Sequence, residues 1–384
     1  MNMEFTESQR LLKETVERAL ADAYKDFQQR SAYRAEPMGW STELWHLYAK
    51  LGLLGIPFSE SDAGYGGTSI DAMIVMEAVG RWLVVEPYLA TVILSGTLLT
   101  AGGSQAQRQQ HIHTIINGSR RFAFAHSERQ ARYDLHDVAA SAVRSDDGFV
   151  LSGQKCQVLH GDSADFLIVS ARTRGGRRDR DGISLFLVSS SQSGVSIEGY
   201  DTHDGLRAAD ITFAAVRIPE DALIGERNES LSLVELAVDT GIAALAAEAT
   251  GAMDALFSMT VGYLKTRKQF GVHIGSFQAL QHRAVDMLLA LEQARSMALY
   301  AATMVAEPVA TRRRAAMSAV KVQINDSARI IGQSAMQLHG GIAMTDEYRA
   351  GHYFKRLTAV ESLFGDTAHH LTEMAAAGAA LDAG

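Results

Sequence analysis

The chain has 384 residues, of which 47% are hydrophobic and 21% are charged, and its formal net charge is −8. This composition excludes general disorder, the single cysteine excludes an internal disulfide framework, and the negative charge argues against a nucleic-acid partner. Because the sequence shows neither a signal-peptide pattern nor an apolar run long enough to span a bilayer, we expect a cytoplasmic globular protein without membrane insertion, large enough for two or three domains.

Residues 1–120 are predicted to form a helical domain. Thr6 and Gln9 have the spacing of a capping box, and apolar residues then recur at one-turn spacing. Further helices are expected over 44–51 and 71–82. The glycine-rich stretch 63–67 between them is either a phosphate cradle or a plain loop, and the absence of a P-loop lysine favours the loop.

Residues 121–228 are predicted to form an antiparallel β domain. Short runs rich in β-branched and aromatic residues are separated by Gly/Asp turns, as in an antiparallel barrel or sandwich. The runs are Phe122–Ala125, Phe166–Ala171, Ile183–Val188 and Ile211–Val216. The stretch Arg172–Arg180 contains five arginines. It is either a phosphate site or a solvated hairpin loop, and its Gly/Asp setting favours the loop.

Residues 229–384 are predicted to form a C-terminal four-helix bundle. Alanine, leucine and methionine recur between charged faces across 240–266, 278–305, 311–339 and 353–378. Long helices with short connections are what an antiparallel bundle requires. The predicted fold class is therefore α+β and multidomain, with the order helical, β, helical.

Five residues in the last region have side chains or backbones suited to a phosphate-bearing nucleotide. Arg267 offers a planar donor fork for phosphate oxygens, and the pair Gly340-Gly341 lets the backbone approach a ligand closely. Gln278 and Gln337 are uncharged donors and acceptors suited to a ribose or a base edge. The residues alone leave an alternative open, in which Arg267 is a solvated helix end and the glycine pair is a helix C-cap.

Several motifs occur in the order found in one known family. They are Leu51-Gly52-Leu53-Leu54-Gly55-Ile56, Gly64-Tyr65-Gly66-Gly67, Glu77-Ala78-Val79-Gly80-Arg81, Gly148-Phe149-Val150-Leu151-Ser152-Gly153-Gln154-Lys155, Tyr263-Leu264-Lys265-Thr266-Arg267-Lys268-Gln269-Phe270-Gly271, and Gln337-Leu338-His339-Gly340-Gly341. Along nearly its whole length the chain resembles the acyl-CoA dehydrogenases. The pattern is most similar to the small subunits of pimeloyl-CoA-type dehydrogenases.

The resemblance implies an FAD-dependent oxidoreductase that acts on the CH–CH bond of acyl-CoA thioesters, as in fatty acid metabolism. In the family a carboxylate removes the α-proton while the flavin accepts hydride. The resemblance also implies that the FAD site is shared between subunits and that no metal is needed. The implied FAD-contacting residues are Arg267, Gln269, Phe270, Gln278, Gln337, Gly340, Gly341, Thr367 and Ser127.

The catalytic base of the family is missing from this sequence. The usual glutamate position is Gly365, in Phe364-Gly365-Asp366-Thr367, and the position used by a minority of relatives is Gly241. Asp366 and Glu361 are weak candidates for a displaced base. Asp239 and Glu248, which flank Gly241, are expected to be helix-surface or capping charges like the others.

Three hypotheses about function therefore remain open. The first is a catalytic acyl-CoA dehydrogenase with a displaced base. The second is a non-catalytic, FAD-completing subunit of a heteromeric dehydrogenase. The third is a flavin monooxygenase of the same fold, which needs no α-proton base. The expected assembly is a homodimer, a homotetramer, or a heterotetramer with a second family member, served by an electron-transfer partner.

Overall fold

The computed structural model describes residues 5–381 as two compact units. One unit, here called the helical unit, contains the N-terminal residues to Tyr33, residues 69–84 and the chain from Ile242 onward. The other, here called the sheet unit, contains residues 34–68 and 85–241. The predicted order of a helical, a β and a second helical region is confirmed, whereas the exact boundaries at 120/121 and 228/229 stay predictions.

The helices follow the apolar periodicity of the sequence. The helices are α1 Glu7–Tyr24, α2 Phe27–Arg34, α3 Thr42–Lys50, α4 Ser69–Trp82, α5 Gly96–Gly102, α6 Gln105–Ile116, α7 Leu231–Thr266, α8 Gln278–Met304, α9 Ala310–His339, α10 Arg349–Ser362 and α11 Thr367–Leu381. Helices α1, α3 and α6 begin after a Ser or Thr whose hydroxyl caps the helix. The predicted capping box is present at the start of α1: the Thr6 hydroxyl accepts from the Gln9 amide, and the Gln9 side chain accepts from the Thr6 amide.

The sheet unit is built on eight strands within the described chain. They are β1 Phe122–Ala125, β2 Ser141–Ser145, β3 Gly148–Leu159, β4 Phe166–Arg172, β5 Ile183–Ser189, β6 Val195–Asp201, β7 Arg207–Ile218 and β8 Leu223–Ile224. The strand order is β6-β7-β3-β2-β4-β5-β8, and β1 lies beside β4. Most pairs are antiparallel as predicted, but β1 and β2 both run parallel to β4. Long connections allow these parallel pairs, which a short hairpin turn could not form.

A large core cluster of the sheet unit is formed by its strands. Alternating residues of the strands point inward and include Phe149, Leu151, Phe186 and Ile211, all buried. The Phe149 and Phe186 rings meet with their centroids 5.0 Å apart. The long β3–β7 pair changes register twice, after Leu151 and between Lys155 and Val158. These bulges bend the two strands locally.

In the helical unit, α4 and α7 cross at two glycines. A Cβ atom on Gly80 would lie 1.7 Å from the Glu248 carbonyl oxygen, and one on Gly251 would lie 1.8 Å from the Glu77 carbonyl oxygen. No larger residue fits at either position while the two backbones stay this close. Packing therefore explains the glycine of the Glu77–Arg81 motif.

Helix α9 is the centre of the C-terminal helices, because it packs against α8, α10 and α11. The predicted single helix over 353–378 is wrong: α10 ends at Ser362, and α11 begins at Thr367. Phe364 and Gly365 in the break have φ of +60° and +119°, which no α-helix accommodates. Within residues 5–381, no helix is long and apolar enough to cross a membrane.

Candidate cofactor site and active site

The hairpin after α7 carries the first group of predicted cofactor residues. It consists of two short antiparallel strands, β9 Lys268–Gln269 and β10 Val272–His273. Phe270 at its turn is 92% exposed. The guanidinium of Arg267 has no hydrogen-bond or ion-pair partner among the described residues. The exposed Phe270 ring and the Arg267 guanidinium are therefore available to contact a ligand bound on this surface.

The two predicted glutamines lie at helix ends. Gln278 is the first residue of α8, and Gln337 lies in the last turn of α9; both are exposed. The start of α8 is joined to the hairpin, because the Phe270 and Phe277 rings make an edge-to-face contact with centroids 6.3 Å apart. Gln278 is therefore held beside the hairpin that carries Arg267 and Gln269.

The glycine pair after α9 forms an open turn. Gly340 has φ of +66° and ψ of −145°, a conformation that residues other than glycine rarely adopt. A Cβ atom built on Gly340 or Gly341 would meet nothing within 4 Å. The glycines are thus not required by crowding within this chain. The free space lets a ligand approach the backbone, as the diphosphate of a dinucleotide would.

His339 supports this turn from inside, a role that the sequence did not reveal. Its Nδ1–H donates to the Ala335 carbonyl oxygen at 2.9 Å, and its ring packs between Tyr263 and Tyr348 at centroid distances of 4.7 and 5.3 Å. Its Nε2 is buried without a hydrogen-bond partner among the described residues. Burial lowers the pKa of His339, so the neutral ring is favoured. Because Tyr263 lies in the last turn of α7, this stack links the hairpin to the glycine turn.

A side chain at the position that the resemblance assigns to the catalytic base would require His369 and His370 to move. A Cβ atom on Gly365 would lie 2.5 Å from His370 Nε2 and 2.7 Å from His369 Cδ2. The backbone φ of +119° independently disfavours every residue except glycine. The Nε2–H of His370 also donates to the Phe364 carbonyl oxygen at 3.0 Å, which holds the turn in this form.

The two weak candidates for a displaced base both have structural partners. An Asp366 carboxylate oxygen accepts from the His369 amide at 2.8 Å, so Asp366 caps the N-terminus of α11. Glu361 makes an ion pair with Arg329. Next to Asp366, the Thr367 hydroxyl accepts from the Asn325 amide group at 3.3 Å. Asp366 and Glu361 are therefore engaged in holding the helices.

Lys321 of α9 lies beneath this turn, and sequence reasoning missed it. Its ammonium is 3.0 Å from Asn325 Oδ1, and it donates to the carbonyl oxygens of Val360, Glu361 and Gly365 at 2.7, 3.2 and 2.9 Å. Burial lowers its pKa to about 7, although the Glu361 and Asp366 carboxylates oppose the shift. The signal was present in the sequence: a lysine occurs among the residues of α9 that recur at the spacing of a buried face.

The acids near the second base position also differ from expectation. Glu248 was expected at a helix surface, but it is buried in an ion pair with Arg356, 2.6 Å from its Nε. Asp239 is 2% exposed, so it is not a surface charge either. Gly241 lies buried in α7 and carries no side chain. Removing one partner of a buried ion pair destabilises the fold, so the pair with Arg356 gives Glu248 a structural role.

Ser127, the predicted contact from the β region, belongs to the sheet unit. Its side chain is exposed, and its carbonyl oxygen accepts from the Cys156 amide at 2.9 Å. The next residue, Glu128, is buried and lies 2.6 Å from Lys155 Nζ. Burial opposes ionisation of Glu128, but the Lys155 ammonium and the Ala139 amide together lower its pKa. This buried pair fixes the segment that presents Ser127.

The structure connects some of the predicted residues through contacts and leaves others separate. The hairpin residues, Gln278 and the glycine turn are linked through ring contacts within the helical unit, and Gln337 lies in the same last turn of α9. Thr367 is held separately by α9, and Ser127 lies in the other unit. The supporting side chains that sequence reasoning missed are His339, Lys321, Asn325 and His370.

Comparison with known proteins finds matches to one family along most of the chain. Residues 6–119, 123–216 and 233–379 match the family models for the N-terminal, middle and C-terminal domains of acyl-CoA dehydrogenase. The chain is 30% identical over 358 residues to the probable acyl-CoA dehydrogenase YngJ of Bacillus subtilis, covering 91% of this chain and 92% of that protein.

Two solved structures have closely similar folds. A variant of the Tcur3481-Tcur3483 steroid ACAD is 26% identical, with a TM-score of 0.89 over 98% of this chain and 99% of that one. The FAD complex of PigA is 25% identical, with a TM-score of 0.88 over 98% of both chains.

The depressed pKa of Lys321 predicts a pH-dependent stability. Because the pKa falls from 10.5 in the unfolded chain to about 7 in the folded one, the folded state binds fewer protons between these values. Wild type should therefore gain stability relative to Lys321→Met as the pH rises from 7 to 9, by at most about 1.4 kcal/mol per pH unit. Urea unfolding of both proteins across this range measures the difference.

The matched control is Lys355→Met, which removes an exposed lysine from α10. His370, which faces Lys321, has its pKa lowered to about 3 by burial and by Lys321, so it stays neutral throughout this range. A difference between wild type and Lys321→Met that is constant from pH 7 to 9 would contradict the prediction.

Proposed function

The chain belongs to the acyl-CoA dehydrogenase family, and from this premise we propose that it is one subunit of a heteromeric, FAD-dependent acyl-CoA dehydrogenase. In this proposal it contributes to the cofactor site, and a second family member supplies the carboxylate that removes the α-proton. FAD supplies the hydride acceptor when bound. The acyl-CoA thioester is the substrate, and an electron-transfer protein reoxidises the cofactor.

The residues of the helical unit fit FAD. The unpaired guanidinium of Arg267 can donate to a diphosphate oxygen, and the open backbone at Gly340-Gly341 admits a phosphate where a side chain would obstruct it. The exposed side chains of Gln278 and Gln337 offer donors and acceptors for the nucleoside part. The similarity to the FAD complex of PigA supports the same assignment.

The closed position at Gly365 is the observation that carries the subunit role. No carboxylate can be placed there without moving His370 and changing the backbone. Asp366 caps a helix and Glu361 pairs with Arg329, so neither is poised to abstract a proton. These contacts support our proposal that the acid for proton abstraction comes from another chain. The similarity to a steroid ACAD whose name joins two components, Tcur3481 and Tcur3483, supports a two-chain enzyme.

The exposed apolar side chains support an oligomer. Val285, Leu288 and Leu289 are 54%, 40% and 60% exposed, and their spacing puts them on one face of α8. Phe270 is a further exposed apolar side chain, and it contacts Phe277 next to the start of α8. The occupant we propose is a second family chain, because a cofactor bound to these exposed residues needs another chain to enclose it.

Loss of the Arg267 guanidinium should weaken FAD binding. Arg267→Ala removes a charge-assisted contact, which is worth about 1.5–3 kcal/mol, or roughly a 10- to 150-fold rise in Kd. Flavin fluorescence titration measures the constant. Arg312→Ala, which removes an exposed arginine from the start of α9, is the control. Equal FAD affinity in both variants and in wild type would remove Arg267 from the site.

The chain alone should oxidise acyl-CoA substrates slowly or not at all. Loss of general-base assistance typically costs about 10²–10⁴-fold in rate. Bleaching of the flavin absorbance by a panel of straight-chain and steroid acyl-CoAs measures the reaction. The same panel should be turned over after co-expression with a second family member from the same genome.

A rescue variant tests the same point. Gly365→Glu should destabilise the chain and restore no activity, because its side chain would collide with His370. Fast turnover by the chain alone, lost in Asp366→Asn or Glu361→Gln, would overturn the two-subunit proposal and establish a displaced base.

Association should depend on the apolar face of α8. Leu289→Glu places a charge where another chain is expected, so light scattering should show a shift toward smaller species at micromolar concentration. Leu11→Glu, which alters a leucine of α1 that is 64% exposed, is the control. A wild-type monomer that still binds FAD would refute the shared site.

A further inference from the structure

The end of α10 is held by a buried cation. The last carbonyl groups of a helix have no partners within the helix, and a positive charge near them is favourable. Lys321 Nζ meets two of these carbonyls, those of Val360 and Glu361, at 2.7 and 3.2 Å. It also reaches past the helix end to the Gly365 carbonyl oxygen at 2.9 Å, so one ammonium connects the helix to the turn.

The turn itself has an unfavourable backbone that needs external support. Phe364 has φ of +60°, which is uncommon for a residue with a bulky side chain, and Gly365 follows at +119°. His370 Nε2 donates to the Phe364 carbonyl oxygen at 3.0 Å, and its Nδ1 lies 3.2 Å from the Ser318 hydroxyl. The carbonyls of the two unusual residues are thus held separately, one by His370 and the other by Lys321.

Asn325 connects the Lys321 ammonium to Thr367. One turn after Lys321 on α9, its side-chain oxygen lies 3.0 Å from the Lys321 ammonium. Its amide group donates to the Thr367 hydroxyl at 3.3 Å. A single side chain therefore joins the buried cation to the hydroxyl that was predicted to contact FAD.

We propose that Lys321 and Asn325 form a positioning pair, through which α9 fixes the α10–α11 turn and presents the Thr367 hydroxyl to the cofactor. The cofactor half of this inference rests on the proposed function, whereas the turn half does not. Neither side chain is placed in contact with the cofactor. Their effect passes through the backbone of residues 360–367.

Amide exchange of the chain tests the turn directly and without cofactor. The reporting amides are those of Leu363, His369 and His370, which donate to the Ala359 carbonyl, the Asp366 carboxylate and the Asp366 carbonyl. At pH 6, where the Lys321 ammonium is charged, we expect their exchange in Lys321→Met to become at least about tenfold faster, since the variant loses hydrogen bonds from a charged group. Lys355→Met is the matched control and should exchange as wild type does.

Asn325→Asp separates the two halves of the pair. Aspartate still offers an oxygen to Lys321 but has no amide group, so the Thr367 hydroxyl would donate to the carboxylate and would no longer be free to donate to the cofactor. We expect its turn amides to exchange as in wild type, while its Kd for FAD rises about five- to tenfold, as one lost neutral hydrogen bond predicts. Thr367→Val should raise the Kd by a similar factor, and the Asn325→Asp, Thr367→Val double variant should add little further.

Two results would overturn the inference, and they have different meanings. Unchanged exchange of the three amides in Lys321→Met would show that the lysine does not hold the turn, whatever FAD does. Faster exchange in Lys321→Met with wild-type FAD affinity in all the variants would show that the turn does not position a cofactor contact. In that second case Thr367 leaves the proposed site, while Arg267 and the glycine turn keep their own test.

Discussion

Two successive residues with positive φ, Phe364 and Gly365, set the constraint on which the candidate site depends. They end α10, turn the chain and allow α11 to start at Thr367. The same backbone excludes a side chain at position 365, where the family usually carries its base. Lys321 and His370 hold the carbonyl oxygens of these two residues, so buried side chains of α9 and α11 support the strained turn.

Buried charges support the connections between elements in both units. Lys321 holds the end of α10, the Arg356–Glu248 pair joins α10 to α7, and the Lys155–Glu128 pair fixes the segment after β1. A buried ion pair is not a strong source of stability compared with apolar packing. Its directional hydrogen bonds specify one arrangement of the backbone, and each of these three groups lies next to a segment that presents candidate site residues.

The sequence predicted the elements whose patterns are local. Strand β1 was predicted at Phe122–Ala125 and occurs there, and α9 ends at His339, directly before the glycine pair. The break between α10 and α11 was missed, because alanine-rich periodicity continues on both sides of it. The burial of Glu248 was missed for a different reason. Its partner Arg356 lies more than a hundred residues away, and a charge on an alanine-rich helix has the same local pattern whether it faces water or an arginine.

The crossing of α4 and α7 limits how this protein can vary. At Gly80 and Gly251, a carbonyl oxygen of one helix occupies the space that a methyl group on the other helix would need. A gene library randomised at either codon would keep only the parental amino acid among its folded members. A chimera that takes one of these helices from a homologue with more widely spaced helices would not fold unless both crossing positions were exchanged together. The pair thus marks a boundary for recombination, although neither residue carries a functional group.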